Sequence, residues 1–210
     1  MSYAPSLQDT VLIVRGACLF APGPDWDDII NYLYDHNYHV TARPFSHVKG
    51  AAAEIYLCQV IDSITAAKVE WDVPMNGTER YLQLPHHARG ALLKEVKTNL
   101  NLEVDALFKA DGFVFAGEAK SGSGPGYLRR PHAQNVLEGY RESFAPHQEY
   151  VPWVLFSPAD RVRQMGGQIL REEAEQNGHI VIPMAIEQGV FEIGLECSCR
   201  ETGIPLDMDR

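Results

Sequence analysis

The dipeptide Asp111-Gly112 sits inside EVDALFKADGFVFAGEAK, residues 103–120, between two runs that read as strands. A two-residue type I′ turn needs positive φ at both central positions, and Asp-Gly tolerates that. With this turn Ala110 pairs with Phe113. Counting outward sets Asp105 opposite Glu118 and Glu103 opposite Lys120. Side chains two apart in a strand share a face, so Glu103, Asp105, Glu118 and Lys120 are expected on one side of a hairpin. Leu102, Val104, Ala106, Phe108, Phe113, Phe115 and Ala119 take the other side as a core face. Directly opposed side chains have Cβ atoms roughly 4.5–5.5 Å apart, so three carboxylates and one ammonium come within reach of a single divalent cation.

Like charges facing each other across a ladder destabilise it. A bound cation, or the ammonium of Lys120, removes that penalty. The plain alternative is an amphipathic hairpin with a solvated charged face. Leu107, Val114 and Ala116 fall on the charged face too, which argues that this face is partly buried. Carboxylates placed there need partners.

The rest of the 210-residue chain fits one large globular unit, with 45% hydrophobic residues and a net charge of −10. That balance argues against a nonspecific basic coat on nucleic acid. It leaves room for a nucleic-acid enzyme whose positive potential comes from a metal and a local basic rim. The N-terminus shows no signal-peptide pattern and no stretch reads as membrane-spanning, so a cytoplasmic protein without membrane partners is expected. Cys18, Cys58, Cys197 and Cys199 form no CxxC pair. They read as reduced structural residues, the last two on one face of a strand.

Along the chain, 11–20 reads as a strand, 25–36 as a helix and 38–45 as a strand. This gives an N-terminal β-α-β extension over 1–47, packed on a core over 48–210. The core begins with a helix over 48–66 and a short strand over 68–73. A turn at Asn76-Gly77 and strands near 81–84 and 91–98 lead into the hairpin. SGSGPG, 121–126, reads as a flexible break. A helix from Pro131 to about 144, a buried strand over 150–156, a helix over 161–177 closed by Gly178, and strands over 179–185 and 190–197 complete it. The final GIPLDMDR reads as a loose terminus. The fold class is therefore α/β, a mixed central sheet flanked by helices.

Asp105 followed by Glu118-Ala119-Lys120 resembles the D…ExK signature of the PD-(D/E)xK nuclease superfamily, over roughly the middle half of the chain. ExK ends an apolar strand, and the Asp lies on the preceding strand opposite the Glu. The resemblance implies a restriction-endonuclease-like core and a catalytic set of Glu54, Asp105, Glu118, Lys120 and Gln134. Glu54, in GAAAEIYLCQV, and Gln134, in HAQNVLEGY, fit the family's Glu on the first core helix and Gln on the later one. Glu-Val-Asp at 103–105 departs from the family's Pro-Asp and leaves Glu103 as a competing ligand. The implied function is metal-dependent phosphodiester hydrolysis, on DNA rather than RNA. Hard oxygen ligands suit Mg²⁺ or Mn²⁺, held by Asp105 and Glu118 with the Ala119 carbonyl. Lys120 would position or deprotonate a water, and Glu54 would bind the metal or its water.

Arg129, Arg130 and His132 follow the glycine-rich segment and are read as phosphate contacts, against a solvated basic turn as the alternative. SGSGPG lacks the GK[ST] ending of a P-loop. His86-His87 are adjacent and point opposite ways in an extended segment, so they read as a loop feature. No GxSxG elbow is present. Two other readings stay open: a nuclease-fold module that lost turnover and binds nucleic acid or assembles with itself or another protein, and a small-molecule-binding α/β protein.

Overall fold

The computed structural model describes residues 4–35, 38, 44–71, 73, 79–81, 91–94, 101–131 and 150–203. Three helices open the chain: α1 (Leu7–Leu19), α2 (Trp26–Asp35) and α3 (Phe45–Asp62). Among the described residues the strands that follow are β1 (Val69–Glu70), β2 (Glu79–Tyr81), β3 (Ala91–Lys94), β4 (Asn101–Val104), β5 (Ala106–Ala110), β6 (Phe113–Ala119), β7 (Trp153–Ser157) and β8 (Ile180–Pro183). A 3-10 turn, Pro125–Arg129, follows β6. Helices α4 (Ala159–Arg163) and α5 (Met165–Gln176) separate β7 from β8, and α6 (Gln188–Glu201) follows β8.

The main sheet runs β1-β5-β6-β7-β8, antiparallel from β1 to β6 and parallel from β6 to β8. The Asp-Gly turn forms as expected: Asp111 has φ 50° and Gly112 φ 87°, and Ala110 pairs with Phe113. Both faces of the sheet are buried. Phe108, Phe115, Val154, Phe156, Ile180 and Ile182 join one cluster with α1, α2, α3 and α6. Leu107, Val114, Ala116, Trp153, Leu155 and Val181 join a second with Tyr127, Val162 and Ala174. Burial on both sides explains why β7 and β8 read as unbroken apolar runs. At Gly117 α3 approaches so closely that a Cβ would lie 3.0 Å from Ala106 Cβ and 3.2 Å from Leu57 Cδ2.

The strand expected over 11–20 is a helix. Ser6 and Asp9 form a capping box, with Ser6 Oγ accepting from Asp9 N–H at 3.2 Å and Asp9 accepting from Ser6 N–H at 3.0 Å. Thr10, Val14 and Cys18 bury one stripe at a four-residue period. The described part of the first 47 residues therefore supplies α1, α2 and the start of α3, so the first strand of the expected β-α-β unit is a helix, and Val14, Ile29 and Leu33 share the core with α3. The strand expected over 190–197 is likewise helical: Phe191, Leu195, Ser198 and Cys199 bury one face of α6. Cys197 is exposed and Cys199 buried, so the two thiols do not share a face. Burial raises Cys199 to about 11 and Cys18 to about 12.

The single helix expected over 161–177 is broken at Gln164, where ψ is 145°. Gly167 permits the break, since a Cβ there would stand 2.1 Å from the Arg161 carbonyl oxygen. The helix expected over 48–66 forms about three to four residues earlier, as Phe45–Asp62, the strand expected over 150–156 forms as Trp153–Ser157, and those near 68–73 and 179–185 form with shorter bounds. Phe45, the expected end of a strand, starts α3. Residues 39–43, the Asn76-Gly77 turn, His86-His87, the body of the helix after Pro131, and residues 204–210 lie outside the described residues. Among those described, no helix is long and apolar enough to cross a membrane.

Candidate functional site

The parallel strands β6, β7 and β8 all end on the same side of the sheet, and the antiparallel β5 begins there. Asp105 stands at that beginning, at the joint between two sheets. β4 belongs to a separate antiparallel sheet, β2-β3-β4, where Glu103 pairs with Leu92 and Val104 with Ala91. Glu103 therefore does not face Lys120, contrary to the register carried through from the turn. The chain changes partners at Asp105, and the long hairpin strand is two strands in two sheets.

That change leaves a gap in the ladder. In β6 the N–H groups of Ala116 and Lys120 bond toward β7, at 3.1 and 2.9 Å. Those of the odd-numbered residues consequently face β5. Ala119 N–H would meet Val104 had the strand continued. Instead the Asp105 carboxylate accepts it at 2.7 Å. Asp105 is thus held by the backbone donor that the departing strand left behind, which satisfies a buried N–H.

Glu118 follows the same alternation onto the face of Val114 and Ala116. Asp105 and Glu118 are each about 5% exposed. Glu118 forms an ion pair with the Lys120 ammonium and accepts from the Tyr127 hydroxyl at 3.2 Å. The ammonium also lies 4.7 Å from the centre of the Tyr127 ring, a cation–π distance. Burial disfavours the charged form of Lys120, but the carboxylates of Asp105 and Glu118 outweigh it and hold the ammonium above its ordinary range. Burial first, and the Glu118 charge second, push the Tyr127 hydroxyl up to about 12.

Tyr127 is the site residue that sequence reasoning missed. It reaches the carboxylates because SGSGPG is not a loose spacer. Gly124 and Pro125 start the 3-10 turn, which packs on α5 closely enough that a Cβ at Gly126 would lie 3.3 Å from Leu170 Cδ1. An aromatic residue in a glycine-rich stretch just after ExK was the available signal.

The other expected site residues are placed as follows. Arg129 is paired with Glu173 of α5. Arg130 is exposed, with its guanidinium 5.9 Å from the Tyr127 ring centre. Glu54 stands on α3, which packs on the opposite face of the sheet, and its Oε2 is buried there. His132 and Gln134 lie outside the described residues. Among the described residues no group of three or more His, Cys, Asp or Glu side chains forms a metal cage. A pair of carboxylates still fits Mg²⁺, which keeps several waters and is commonly held by one or two carboxylates.

Searches of protein-family models, curated proteins and solved structures for relatives of this chain returned no match.

Proposed function

We propose that the chain is a metal-dependent nuclease of the restriction-endonuclease-like kind, hydrolysing phosphodiester bonds in DNA rather than RNA. One observation carries the reading: the buried carboxylates of Asp105 and Glu118 gather beside the half-buried Lys120 at the carboxyl ends of three parallel strands. Open α/β sheets bind ligands at that end, and buried carboxylates gathered beside an ammonium mark functional sites more often than ordinary surface does.

Asp105 and Glu118 would hold Mg²⁺ or Mn²⁺, with the Ala119 carbonyl as a third oxygen. Such an ion, when bound, polarises a phosphoryl oxygen and lowers the pKa of a water. Lys120 orients the attacking water and stabilises negative charge developing on the phosphate. Tyr127 holds the Lys120 and Glu118 side chains in register. Arg130, exposed at the rim, is placed to meet a substrate phosphate. Glu54, Gln134, Arg129 and His132 stay in the proposal as supporting residues on the resemblance alone.

A second reading has an observation of its own. Lys120 already neutralises Glu118, and Asp105 already caps a ladder N–H. A nuclease-fold module without turnover would look the same.

The deciding experiment incubates the purified protein with plasmid, single-stranded DNA and RNA in Mg²⁺, Mn²⁺ or EDTA. Cleavage that needs metal and is lost in Lys120→Ala supports the enzyme. Binding without cleavage supports the module.

A further inference from the structure

The last side chain of β7 is polar and out of place. Ser157 is fully buried, and among the described residues its hydroxyl oxygen has no hydrogen-bond partner. Buried hydroxyls without a partner are uncommon in folded proteins and costly. The Ser157 carbonyl is in use, accepting from Met184 N–H at 2.6 Å, so the side chain alone is left over.

The strand register says what lies beside that hydroxyl. β6 and β7 pair in step, from Ala116 with Trp153 to Ala119 with Phe156. One position further on, Lys120 stands beside Ser157, and Lys120 N–H bonds the Phe156 carbonyl at 2.9 Å. The ladder stops there because the next donor would be Pro158, which has no N–H. Trp153 and Leu155 lie on the face of Val114, Ala116 and Tyr127. Alternation puts Ser157 on that face too, with Glu118 and Lys120. Neighbouring strands lie about 4.7–4.9 Å apart, a gap that a lysine side chain spans.

The carboxylates around the ammonium already have work. Glu118 holds it in the ion pair and accepts from the Tyr127 hydroxyl, and Asp105 accepts from Ala119 N–H. With a divalent cation on these two carboxylates, the ammonium is repelled from them. The Lys120 side chain is only 27% exposed, and a desolvated ammonium needs another acceptor.

We propose that Ser157 is a positioning residue for Lys120: its hydroxyl oxygen takes over the ammonium when Asp105 and Glu118 are engaged by a divalent cation. The inference rests on the metal reading of this cluster given above. Ser157 keeps Lys120 beside the site at the moment its ion pair with Glu118 opens.

Mg²⁺ alone is the probe, titrated by calorimetry into the full chain, Ser157→Ala, Lys120→Ala and the double variant. Without metal, Ser157→Ala should melt no lower than the parent, since the hydroxyl it removes has no partner. It should bind Mg²⁺ about tenfold more weakly, the order of one hydrogen bond to a charged group. In the Lys120→Ala background the same change should alter affinity by less than about twofold, because no ammonium remains to be received. A ¹⁵N-lysine NMR spectrum reads the contact itself. With Mg²⁺ bound, the Lys120 ammonium signal should persist in the parent and be lost to solvent exchange in Ser157→Ala. Mg²⁺ binding that Ser157→Ala leaves unchanged overturns the role of Ser157 and leaves the metal site standing. An equal loss in both backgrounds overturns the handover. So does an ammonium signal that survives Mg²⁺ in Ser157→Ala, or a lower melting temperature of that variant without metal. Mg²⁺ binding by none of these proteins overturns the metal reading and this inference with it.

Discussion

Asp105 has two separable jobs, and two substitutions pull them apart. Its carboxylate accepts the buried Ala119 N–H at 2.7 Å and also supplies charge beside Lys120. Asp105→Ala removes both. It leaves a buried donor without its acceptor, which costs about 1–3 kcal/mol. In a protein of this size each kcal/mol moves Tm by roughly 2–4 °C, so a fall of roughly 2–12 °C is expected. Asp105→Asn keeps an oxygen at the same reach and loses only the charge, so its loss should stay within about 1 kcal/mol. Both variants should lose metal-dependent cleavage. Thermal melts by circular dichroism read the stability, and hydrogen exchange at the Ala119 amide reads the bond itself. That amide should exchange fast in the alanine variant and slowly in the asparagine one. Equal melting of the two variants, or slow exchange in both, would refute the idea that the side chain replaces a missing ladder bond.

Three further outcomes follow from the geometry. Glu118→Gln should abolish Mn²⁺-induced stabilisation, read as the change in Tm with metal, because a ligand stabilises only the state that binds it. Gly117→Ala should destabilise by about 1–3 kcal/mol in denaturant melts, since the new methyl meets Ala106 Cβ at 3.0 Å and Leu57 at 3.2 Å. His179 is lowered from 6.5 to about 4 by burial, so the unfolded chain binds more protons within that window. Stability should therefore fall as pH drops from 6.5 toward 4, by on the order of 3 kcal/mol. His179→Gln should flatten that part of the pH–stability curve.

What the sequence disclosed depended on how local the governing physics is. The Asp111-Gly112 turn and the pairing of β5 with β6 follow from two φ angles and a period of two. Both are written in adjacent residues. The path beyond Asp105 is not: whether a strand keeps its partner or joins another sheet depends on segments far away, so Glu103 was placed on the wrong ladder. In α1 the largely β-branched run Val-Leu-Ile-Val spoke for a strand, while the Ser6–Asp9 capping box and the Thr10, Val14, Cys18 spacing spoke for a helix. Tertiary burial decided for the helix. In α6 the same contest turned on Phe191 and Leu195. Tyr127 was marked in the sequence only as an aromatic residue in a glycine-rich stretch, because its bond to Glu118 needs that segment to fold back on α5.

The ion pair from Arg15 to Glu175 ties a helix on one face of the main sheet to a helix on the other, past the outermost strand β8. Among the described residues no strand pairs with the outer edge of β8, and such an edge is the usual template for another chain to add itself. The N-terminal helix thus acts as a stopper on that edge, and Pro183, which has no N–H, ends the strand. At the opposite margin β1 is only two residues long, too short to recruit a neighbour. A chain cut back to begin after α1 would keep its carboxylate cluster and lose its protection against self-association.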